Sequence, residues 1–513
     1  MRAAVWYPER IAMVDIGEDT RLTFRELNER VNRLANALSS LGLKKGDRVA
    51  SLSPNRFQLV EITFACHKIG LIMVPLNARL SMAELVYMLN NSDSSVLILG
   101  PEYIAEMEKE RSEIKTVKHY ISISHPPASM IDYEDILRSA SADDPRIEVE
   151  MDDIAELRYT SGTTGRLKAA MISYRNKLCL YRKVLLRDSN IHKDSAVCHV
   201  APITHASRAA LLPFIMKGAR NVLLPGFDIP LLLKTIEKER ITHFLSVPTM
   251  LNVLMAYSDL KKYDLSSIET IIYAASPMPV EKIKQALKIF GPVLKQGYGL
   301  TEASGGITCL SQEDHVIDGD PKKLKRLASA GRPGFENDVR VVNENGEDVK
   351  PGEVGEVIER GDDMMLGYWK DPELTAATIR NGWLYTKDMA TVDEDGYIYL
   401  VDRKGDMIIS GGFNVYPSEV EGVLAGHPAV FEAAVIGVPD DKWGESVKAV
   451  VVLKEGMAVS EEELINHCKQ HLSSYKKPKS VDFVKELPKN PIGKVLKRKI
   501  KEKYWEGRGK MIH

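Results

Sequence analysis

The sequence predicts an α/β protein with a large N-terminal domain and a small C-terminal domain. The chain has 513 residues, which is too long for a single hydrophobic core. Short apolar segments alternate with longer amphipathic ones, as is typical of largely parallel sheets covered by helices. The charge balance changes late in the chain, where residues from His471 onward include 13 Lys or Arg but 4 Asp or Glu. We therefore expect one domain over 1–402 and a locally basic second domain over 403–513.

The periodicity of apolar residues gives the order of the first elements. Apolar residues at helical spacing predict an amphipathic helix over 23–42. A short strand is predicted over 49–52, a second helix over 57–70 and a second strand over 72–76. A later strand over 397–401 precedes the charged segment that marks the expected domain boundary.

The composition indicates an ordinary globular protein that is not specialised for nucleic acid or membrane. The chain is 44% hydrophobic and 27% charged, with a net charge of −2, so it has no general attraction to polyanions. Its five cysteines are scattered without CxxC spacing, which argues against a disulfide framework or a zinc site. The first ten residues have no signal-peptide core, and the last three are no peroxisomal signal. We expect a cytoplasmic protein without integral membrane association.

One segment rich in serine, threonine and glycine has the chemistry of a polyphosphate-binding loop. It follows a strand predicted over 156–160 and contains Thr160, Ser161, Gly162, Thr163, Thr164, Gly165 and Lys168. Glycines let the backbone approach a ligand closely, and successive N–H groups form an anion-binding nest. The spacing differs from that of a Walker A loop. A flexible surface linker is the alternative, which the strand before the segment and the helical pattern from Tyr174 disfavour.

A second segment combines an aromatic ring, glycines, a hydroxyl and a carboxylate within seven residues. It consists of Gln296, Gly297, Tyr298, Gly299, Leu300, Thr301 and Glu302. Tyr298 suits stacking on a planar base, Thr301 suits a phosphate oxygen, and Glu302 suits Mg²⁺, which prefers oxygen ligands. The alternative is a glycine-rich turn with a buried tyrosine.

These segments resemble the motifs of one enzyme superfamily. The sequence at 159–165 resembles the phosphate-binding motif of acyl- and aryl-CoA synthetases, and the sequence at 297–302 resembles their GYGxTE motif. These synthetases are adenylate-forming enzymes, like peptide-synthetase adenylation domains and firefly luciferase. The resemblance extends from Leu22 to Lys494, with Leu167, Ala169 and Tyr174 where proline, glycine and histidine are common.

The resemblance implies both a fold and a reaction. It implies a large domain of stacked α/β sheets and a small, mobile α+β C-terminal domain. It also implies an AMP-forming acyl-CoA synthetase, which uses ATP and Mg²⁺ to convert a small carboxylic acid into an acyl-adenylate. Coenzyme A then takes the acyl group as a thioester.

The resemblance also assigns further nucleotide-binding residues. Ala275, Ser276 and Pro277 would line the adenine pocket. The sequence at 383–388 resembles the family's W-x-x-T-G-D, with Lys387 in place of glycine, so Asp388 would accept hydrogen bonds from the ribose hydroxyls. Arg403 would reach the ribose or a phosphate.

In the C-terminal domain the resemblance points to one catalytic lysine and one glycine-rich loop. Lys494, in a Pro/Gly segment, would reach the active site during adenylation, where an ammonium lowers the repulsion between carboxylate and phosphate. After the domain rotates, Gly411 and Gly412 would line the pantetheine tunnel of coenzyme A. Gly405 stands at the hinge position, where lysine or aspartate is usual.

The acyl site is expected near His205, whose segment resembles the family's P-x-x-H element. His205 would orient the substrate carboxylate, although a satisfied buried ring is an equally good interpretation. Gly305 and Gly306 leave space for a medium- or long-chain fatty acid or an aromatic acid. Arg208 is an unusual residue here; a pairing with a distal polar group of the substrate is the less favoured interpretation, and we expect it to point elsewhere.

Several alternatives stay open. A stand-alone acyl-AMP ligase that loads a carrier protein is the main enzymatic rival. A catalytically silent ATP-binding protein is less favoured, because Lys494, Glu302 and Asp388 are all retained. Nucleic-acid binding by the basic tail is weaker still, because the tail lacks interleaved aromatic residues. A homodimer is possible.

Overall fold

A computed structural model of the chain describes residues 2–145, 147–161, 167–410, 413–440, 442–489 and 495–506. Four sheets organise these residues. Two large sheets and one of five strands are built from residues before Lys404, and a second five-stranded sheet is built from residues after Met407. The prediction of an α/β fold with stacked sheets in a large N-terminal part and a smaller C-terminal part is confirmed.

The first large sheet has nine strands and is mostly parallel in its centre. Its spatial order is β16 (Arg332–Pro333), β15 (Thr308–Leu310), β14 (Leu294–Tyr298), β13 (Thr270–Ala274), β12 (His243–Ser246), β10 (Ala196–His199), β11 (Arg220–Leu223), β1 (Ile11–Asp15) and β2 (Thr20–Thr23). Strands β1 and β10 to β14 are parallel to one another, whereas the pairs β1–β2, β14–β15 and β15–β16 are antiparallel.

The second large sheet has seven strands and carries the glycine-rich segment at its edge. Its order is β7 (Ile131–Asp132), β6 (His119–Ser122), β5 (Ser94–Leu99), β3 (Arg48–Leu52), β4 (Ile72–Pro75), β8 (Ile154–Ser161) and β9 (Leu167–Ser173). Its central strands read as continuous apolar runs because helices bury both of their faces.

Two five-stranded sheets complete the chain. The first contains β17 (Asn337–Val342), β18 (Gly355–Gly361), β20 (Trp383–Val392) and β19 (Ile379–Arg380), with β21 (Ile398–Arg403) beside β20. The second contains β23 (Phe413–Val415), β22 (Ile408–Ser410), β25 (Gly444–Leu453) and β24 (Val430–Asp440), with β26 (Ser480–Phe483) beside β25. The last sheet has its own core, in which Val435, Val451 and Leu464 are fully buried.

Helices cover the faces of these sheets. They are α1 (Arg2–Trp6), α2 (Phe24–Ser40), α3 (Phe57–Lys68), α4 (Met82–Asn91), α5 (Ile104–Lys109), α6 (Tyr133–Ser139), α7 (Tyr174–Arg187), α8 (Leu211–Met216), α9 (Ile229–Glu239), α10 (Pro248–Met255), α11 (Val280–Phe290), α12 (Pro321–Arg326), α13 (Pro372–Thr378), α14 (Pro417–Ala425), α15 (Glu461–His471) and α16 (Lys497–Trp505). Within the described ranges, none of them combines the length and apolarity that a membrane crossing needs.

Helix α2 shows why the periodicity was informative. Thr23 caps it, accepting a hydrogen bond from the Glu26 N–H, while the Glu26 carboxylate accepts one from the Thr23 N–H. Leu27, Leu34 and Leu38 lie at helical spacing and are fully buried. The helix predicted over 23–42 and the strands predicted over 49–52 and 72–76 are confirmed to within a few residues as α2, β3 and β4.

Strand β9 was not expected. The sequence analysis predicted no strand between the glycine-rich segment and the helical pattern from Tyr174, but β9 returns antiparallel to β8, with Thr160 paired to Lys168. The glycine-rich segment therefore connects two strands of a hairpin, and α7 begins at Tyr174, as predicted. The hairpin brings the basic end of the segment back beside its hydroxyl-bearing start.

Candidate active site

The hairpin end of β8 and β9 contributes the first part of the candidate site. Thr160 lies near the end of β8, and its buried hydroxyl has no hydrogen-bond partner among the described residues. Buried hydroxyls are normally paired, so this one is available to a ligand. Ser161 ends β8, whereas the predicted phosphate-binding residues Gly162, Thr163, Thr164 and Gly165 lie outside the described residues.

Lys168 and Glu302 form an ion pair next to this hairpin. The Lys168 Nζ lies 3.2 Å from Glu302 Oε1, and the Tyr368 hydroxyl donates to the same oxygen at 2.7 Å. Lys168 also contacts the Tyr368 hydroxyl and lies 4.1 Å from the centre of its ring. Burial lowers the pKa of Lys168, and Lys387 and Arg403 act in the same direction, whereas Glu302 raises it. The site therefore has more positive than negative charge around Lys168.

A second polar network links Tyr298, Asp388 and Arg403. The Tyr298 hydroxyl donates to Asp388 Oδ2 at 2.8 Å, and Arg403 Nε donates to Oδ1 at 3.1 Å. Strands β20 and β21 pair Asp388 directly with Arg403, which fixes the contact. Burial raises the pKa of Tyr298, and the Asp388 carboxylate raises it further, so this phenol stays protonated.

The carboxyl ends of β13 and β14 bring the remaining nucleotide candidates together. Ala274 pairs with Gly297, so Ala275, Ser276 and Pro277 leave β13 beside the glycine-rich end of β14. Ligands bind at such strand ends in open α/β sheets. Gln296 Oε1, on β14, is buried without a hydrogen-bond partner in the described part of the chain.

Gly299 is required by close packing against the next turn. A Cβ atom at Gly299 would lie 2.5 Å from the Gly305 oxygen and 2.8 Å from the Gly306 nitrogen. Thr301 and Glu302 form the short 3-10 turn Thr301–Ala303 between these two points. Only glycine permits this fold-back, which places Glu302 against Lys168.

His205, Gly305 and Gly306 mark the expected acyl region. Burial lowers the pKa of His205 to about 4, and Arg208 and Arg158 lower it too, so the ring is neutral near pH 7. Its Nδ1 lies 3.2 Å from the Thr204 hydroxyl. Gly305 has a φ of +114° and open space where a Cβ would be. The structure thus leaves room beside Gly305.

Sequence reasoning missed two features of this region. Tyr368 orients Glu302 from 66 residues away, and Glu156 lies fully buried in β8 among Arg158, Lys177 and Arg208. Neither residue belongs to a local motif, so no pattern in the sequence indicates it. Arg208, whose role the sequence left open, pairs with Glu156 at 3.1 Å.

The C-terminal candidates are only partly described. Lys494, Gly411 and Gly412 lie outside the described residues. Gly405, at the predicted hinge, has open space around its Cβ position. Lys497, three residues after Lys494, pairs with Glu421 at 2.9 Å.

The hairpin of β8 and β9, the Lys168–Glu302 pair and the Asp388–Arg403 pair together suit a nucleotide-binding enzyme. The AMP-binding enzyme family model matches residues 1–369, and the model of its C-terminal domain matches residues 419–494. The chain belongs to the AMP-binding enzyme family.

Similar proteins agree with this assignment. The chain is 40% identical over 490 residues to a feruloyl-CoA synthase from Amycolatopsis, covering 94% of each chain. It is 35% identical over 505 residues to the long-chain-fatty-acid–CoA ligase FadD13 of Mycobacterium tuberculosis, covering 97% of this chain and 96% of that one. Among solved structures, o-succinylbenzoate CoA synthetase from Bacillus subtilis, bound to its acyl-adenylate, is 32% identical, with a TM-score of 0.85 and coverage of 98% and 97%. The protein is an AMP-forming acid–thiol ligase that uses ATP and coenzyme A.

Proposed function

We propose that the two networks described above hold one ATP molecule, whose α-phosphate is attacked by the carboxylate of a fatty or aromatic acid. The observation that carries this proposal is that Lys168 pairs with Glu302 beside the hairpin and lies close enough to Arg403 of the Asp388–Arg403 pair for that guanidinium to lower its pKa. In this proposal the segment over 160–165 binds the phosphates with Lys168. Asp388 and Arg403 bind the ribose, and Ala275, Ser276 and Pro277 contact the adenine beside Gln296, Gly297, Tyr298 and Gly299.

Glu302 suits a bound Mg²⁺. Its contacts with Lys168 and Tyr368 in the described part of the chain both use Oε1, which leaves Oε2 for a cation, and a carboxylate is a preferred ligand of Mg²⁺. Thr301 lies next to it and would add a hydroxyl toward the phosphates. When bound, Mg²⁺ would neutralise charge on the ATP phosphates.

The reaction then needs only in-line attack and charge neutralisation. An oxygen of the substrate carboxylate bonds to the α-phosphorus while the bond to pyrophosphate breaks. His205 is neutral, so it orients the carboxylate without neutralising the negative charge of that group. Lys494 supplies the positive charge between the carboxylate and the phosphate, as an ammonium does well in a water-poor site.

The second half-reaction uses coenzyme A. The thiol loses its proton, its sulfur bonds to the acyl carbon, and AMP leaves. We propose that the residues after Gly405 rotate about it between the two steps, so that Gly411 and Gly412 replace Lys494 at the site. The open space around Gly405 supports a hinge there.

We propose the class of acid from the relatives of the chain and from the open position beside Gly305. The relatives named above act on feruloyl and long-chain acyl groups, and we place a medium or long chain or a ring beside the open Cβ position of Gly305. A cytoplasmic location and a homodimer also belong to this proposal, and sedimentation velocity tests the second.

Two assays test the proposed function. Carboxylate-dependent exchange of labelled pyrophosphate into ATP measures adenylation, and a thioester product measures transfer to coenzyme A. Exchange with thioester formation supports the proposal. Exchange without thioester formation favours the carrier-loading ligase, and no exchange with any acid favours a silent ATP-binding protein.

A further inference from the structure

A buried charge cluster lies beside the acyl region. At its centre is Glu156 on β8, which is fully buried. Arg158 Nε donates to Glu156 Oε2 at 2.8 Å, Arg208 Nη1 lies 3.1 Å from the same oxygen, and the Lys177 ammonium contacts Oε1. The four residues come from β8, α7 and the 3-10 turn Ala206–Ala210, so the fold brings them together from three segments.

The cluster has too little negative charge. Three cationic side chains share one carboxylate, and within the described ranges Arg158, Lys177 and Arg208 pair with no other acidic group. All three are more than nine-tenths buried. Burying a charge without full compensation is costly, so such an arrangement calls for a further anion.

Arg208 is the least satisfied member of the cluster. Its guanidinium is only 8% exposed and carries five N–H donors. It makes the ion pair with Glu156 but no hydrogen bond of good geometry to any described residue. Arg158, by contrast, also donates from Nη1 to the Ser304 oxygen at 3.2 Å.

The lowered pKa values of the basic groups in and around the cluster agree with this shortage of negative charge. Burial and the adjacent guanidiniums, opposed by Glu156, lower the pKa of Lys177 to about 7 and that of Arg208 to about 10. Burial and the same cations lower the pKa of His205 to about 4, and the pKa of His67 is lowered to about 4 by burial and by Lys177. A bound anion would oppose all four shifts.

The cluster is placed to meet the substrate. The Arg208 N–H donates to the His205 oxygen, and Arg158 donates to Ser304, the residue before Gly305. His205 and Gly305 are the two points between which the proposed function places the acyl acid. The Arg208 and Arg158 guanidiniums are also close enough to His205 to lower its pKa, so they border the acyl region.

We infer that Arg208, supported by Arg158, binds a second carboxylate of the substrate, so that the acid activated by this enzyme is a dicarboxylic acid. This inference rests on the proposed function and narrows its substrate class. The second carboxylate takes no part in bond making. It forms a charge-assisted pair with the Arg208 fork, which holds the acid while its first carboxylate attacks the phosphate.

The first test compares acids on the wild-type enzyme. Pyrophosphate release is measured for the α,ω-dicarboxylic acids from succinic to dodecanedioic acid, for benzene dicarboxylic acids, and for the monocarboxylic acid and monomethyl ester of each. We expect kcat/KM for the best dicarboxylic acid to exceed that for its monoacid by on the order of 10²-fold, because an unpaired buried charge is costly.

The second test changes the guanidinium. Arg208→Met is expected to lower kcat/KM for the dicarboxylic acid by on the order of 10²-fold, with a loss for the monoacid at least about tenfold smaller. Arg208→Lys keeps the charge without the fork and is expected to give an intermediate selectivity. Arg220→Met is the matched control, because Arg220 also pairs with a buried glutamate, Glu239, but far from the site. It should leave the selectivity unchanged.

The outcomes separate the inference from the proposed function. Turnover of monoacids without any preference for dicarboxylic acids overturns the inference and leaves the proposed function intact. Equal losses for both acids in a folded Arg208→Met enzyme also overturn it. No pyrophosphate release with any acid contradicts the proposed function itself. If Arg208→Met does not fold, the wild-type comparison and Arg208→Lys still decide.

Discussion

Lys387 holds a backbone conformation that glycine usually adopts. Its φ is +63°, its N–H donates to Glu356 Oε1 at 3.0 Å, and its carbonyl accepts from the Lys404 N–H at 2.9 Å. A side chain in the left-handed region costs about 1–2 kcal/mol. The strain lies directly before Asp388, where it is held in place by the β20–β21 pairing.

Replacing Lys387 by glycine is expected to stabilise the protein. Relief of the left-handed strain outweighs the extra flexibility of glycine in the unfolded chain, leaving a gain of about 0.5–1 kcal/mol in the free energy of unfolding. Urea unfolding measures it. Lys387→Ala is the control, since it removes the ammonium but keeps the Cβ and the strain. Equal stability of the alanine and glycine variants would refute the strain argument.

His205 gives a prediction about pH. Its pKa is lowered to about 4 by burial and by Arg208 and Arg158, so the folded ring is already neutral well below pH 7. The ratio of kcat/KM between wild type and His205→Asn should therefore be constant from about pH 6 to about pH 9. A step in this ratio near pH 6.5 would show an ordinary histidine and contradict the burial argument.

The same shift has a consequence for stability with a definite sign. In the unfolded chain His205 binds a proton below about pH 6.5, whereas the folded protein resists protonation until about pH 4. The contribution of neutral His205 is thus present above pH 6.5 and is lost as the pH falls toward 4. The Tm of His205→Asn should fall less steeply than that of wild type over this interval, as measured by scanning fluorimetry.

At the scale of elements, the sequence predicted those whose signals are local. Helix α2 could be predicted because its apolar spacing and capping box lie within the helix itself. Strand β9 could not, because its buried and half-buried residues do not alternate regularly, and its identity depends on pairing with β8.

Glu156 shows the same limit within a strand that was predicted correctly. Polar residues alternate with apolar ones along β8, which is typical of a strand with one solvated face. Both faces are nevertheless buried, because Lys177 and Arg208 from distant segments cover the polar one. The motif residues of the candidate site could be predicted from the sequence, but their polar partners could not.

A substitution at Tyr368 tests whether its hydroxyl positions Glu302. Tyr368→Phe removes the hydroxyl that donates to Glu302, so we expect a loss of about 1.5–3 kcal/mol in stability and about tenfold in the rate of pyrophosphate exchange. Tyr399→Phe is the matched control, because its hydroxyl donates to Asp393 at 2.9 Å outside the site. It should affect stability alone, and a normal exchange rate in Tyr368→Phe would contradict the positioning role.

At the scale of the whole molecule, the chain joins a large body of stacked sheets to a smaller sheet through one short segment. Before Gly405, Lys404 lies 3.4 Å from Glu356, and Asp402 accepts a hydrogen bond from the Ser418 N–H, which lies beyond Gly405. The Gly405 N–H makes no backbone hydrogen bond to any residue that the structure describes. A proline there would restrict φ without removing one of these bonds.

Gly405→Pro therefore tests rotation about this segment. We expect thioester formation to slow by about tenfold or more while pyrophosphate exchange changes little, because only the second half-reaction requires the other orientation. Gly405→Ala is the control that keeps most of the backbone freedom. Parallel losses in both half-reactions of a folded Gly405→Pro enzyme would contradict a hinge at this position.

Lys494 is proposed to act at an ATP molecule held by residues far away in the sequence. The measurement is the rate of each half-reaction in Lys494→Ala, with Lys489→Ala as control, since Lys489 lies in the same segment but pairs with Glu432 at 2.8 Å. We predict a loss on the order of 10²–10³-fold in acyl-adenylate formation, with nearly normal thioester formation from supplied acyl-adenylate. Equal loss of both half-reactions, or the same loss in Lys489→Ala, would contradict the account.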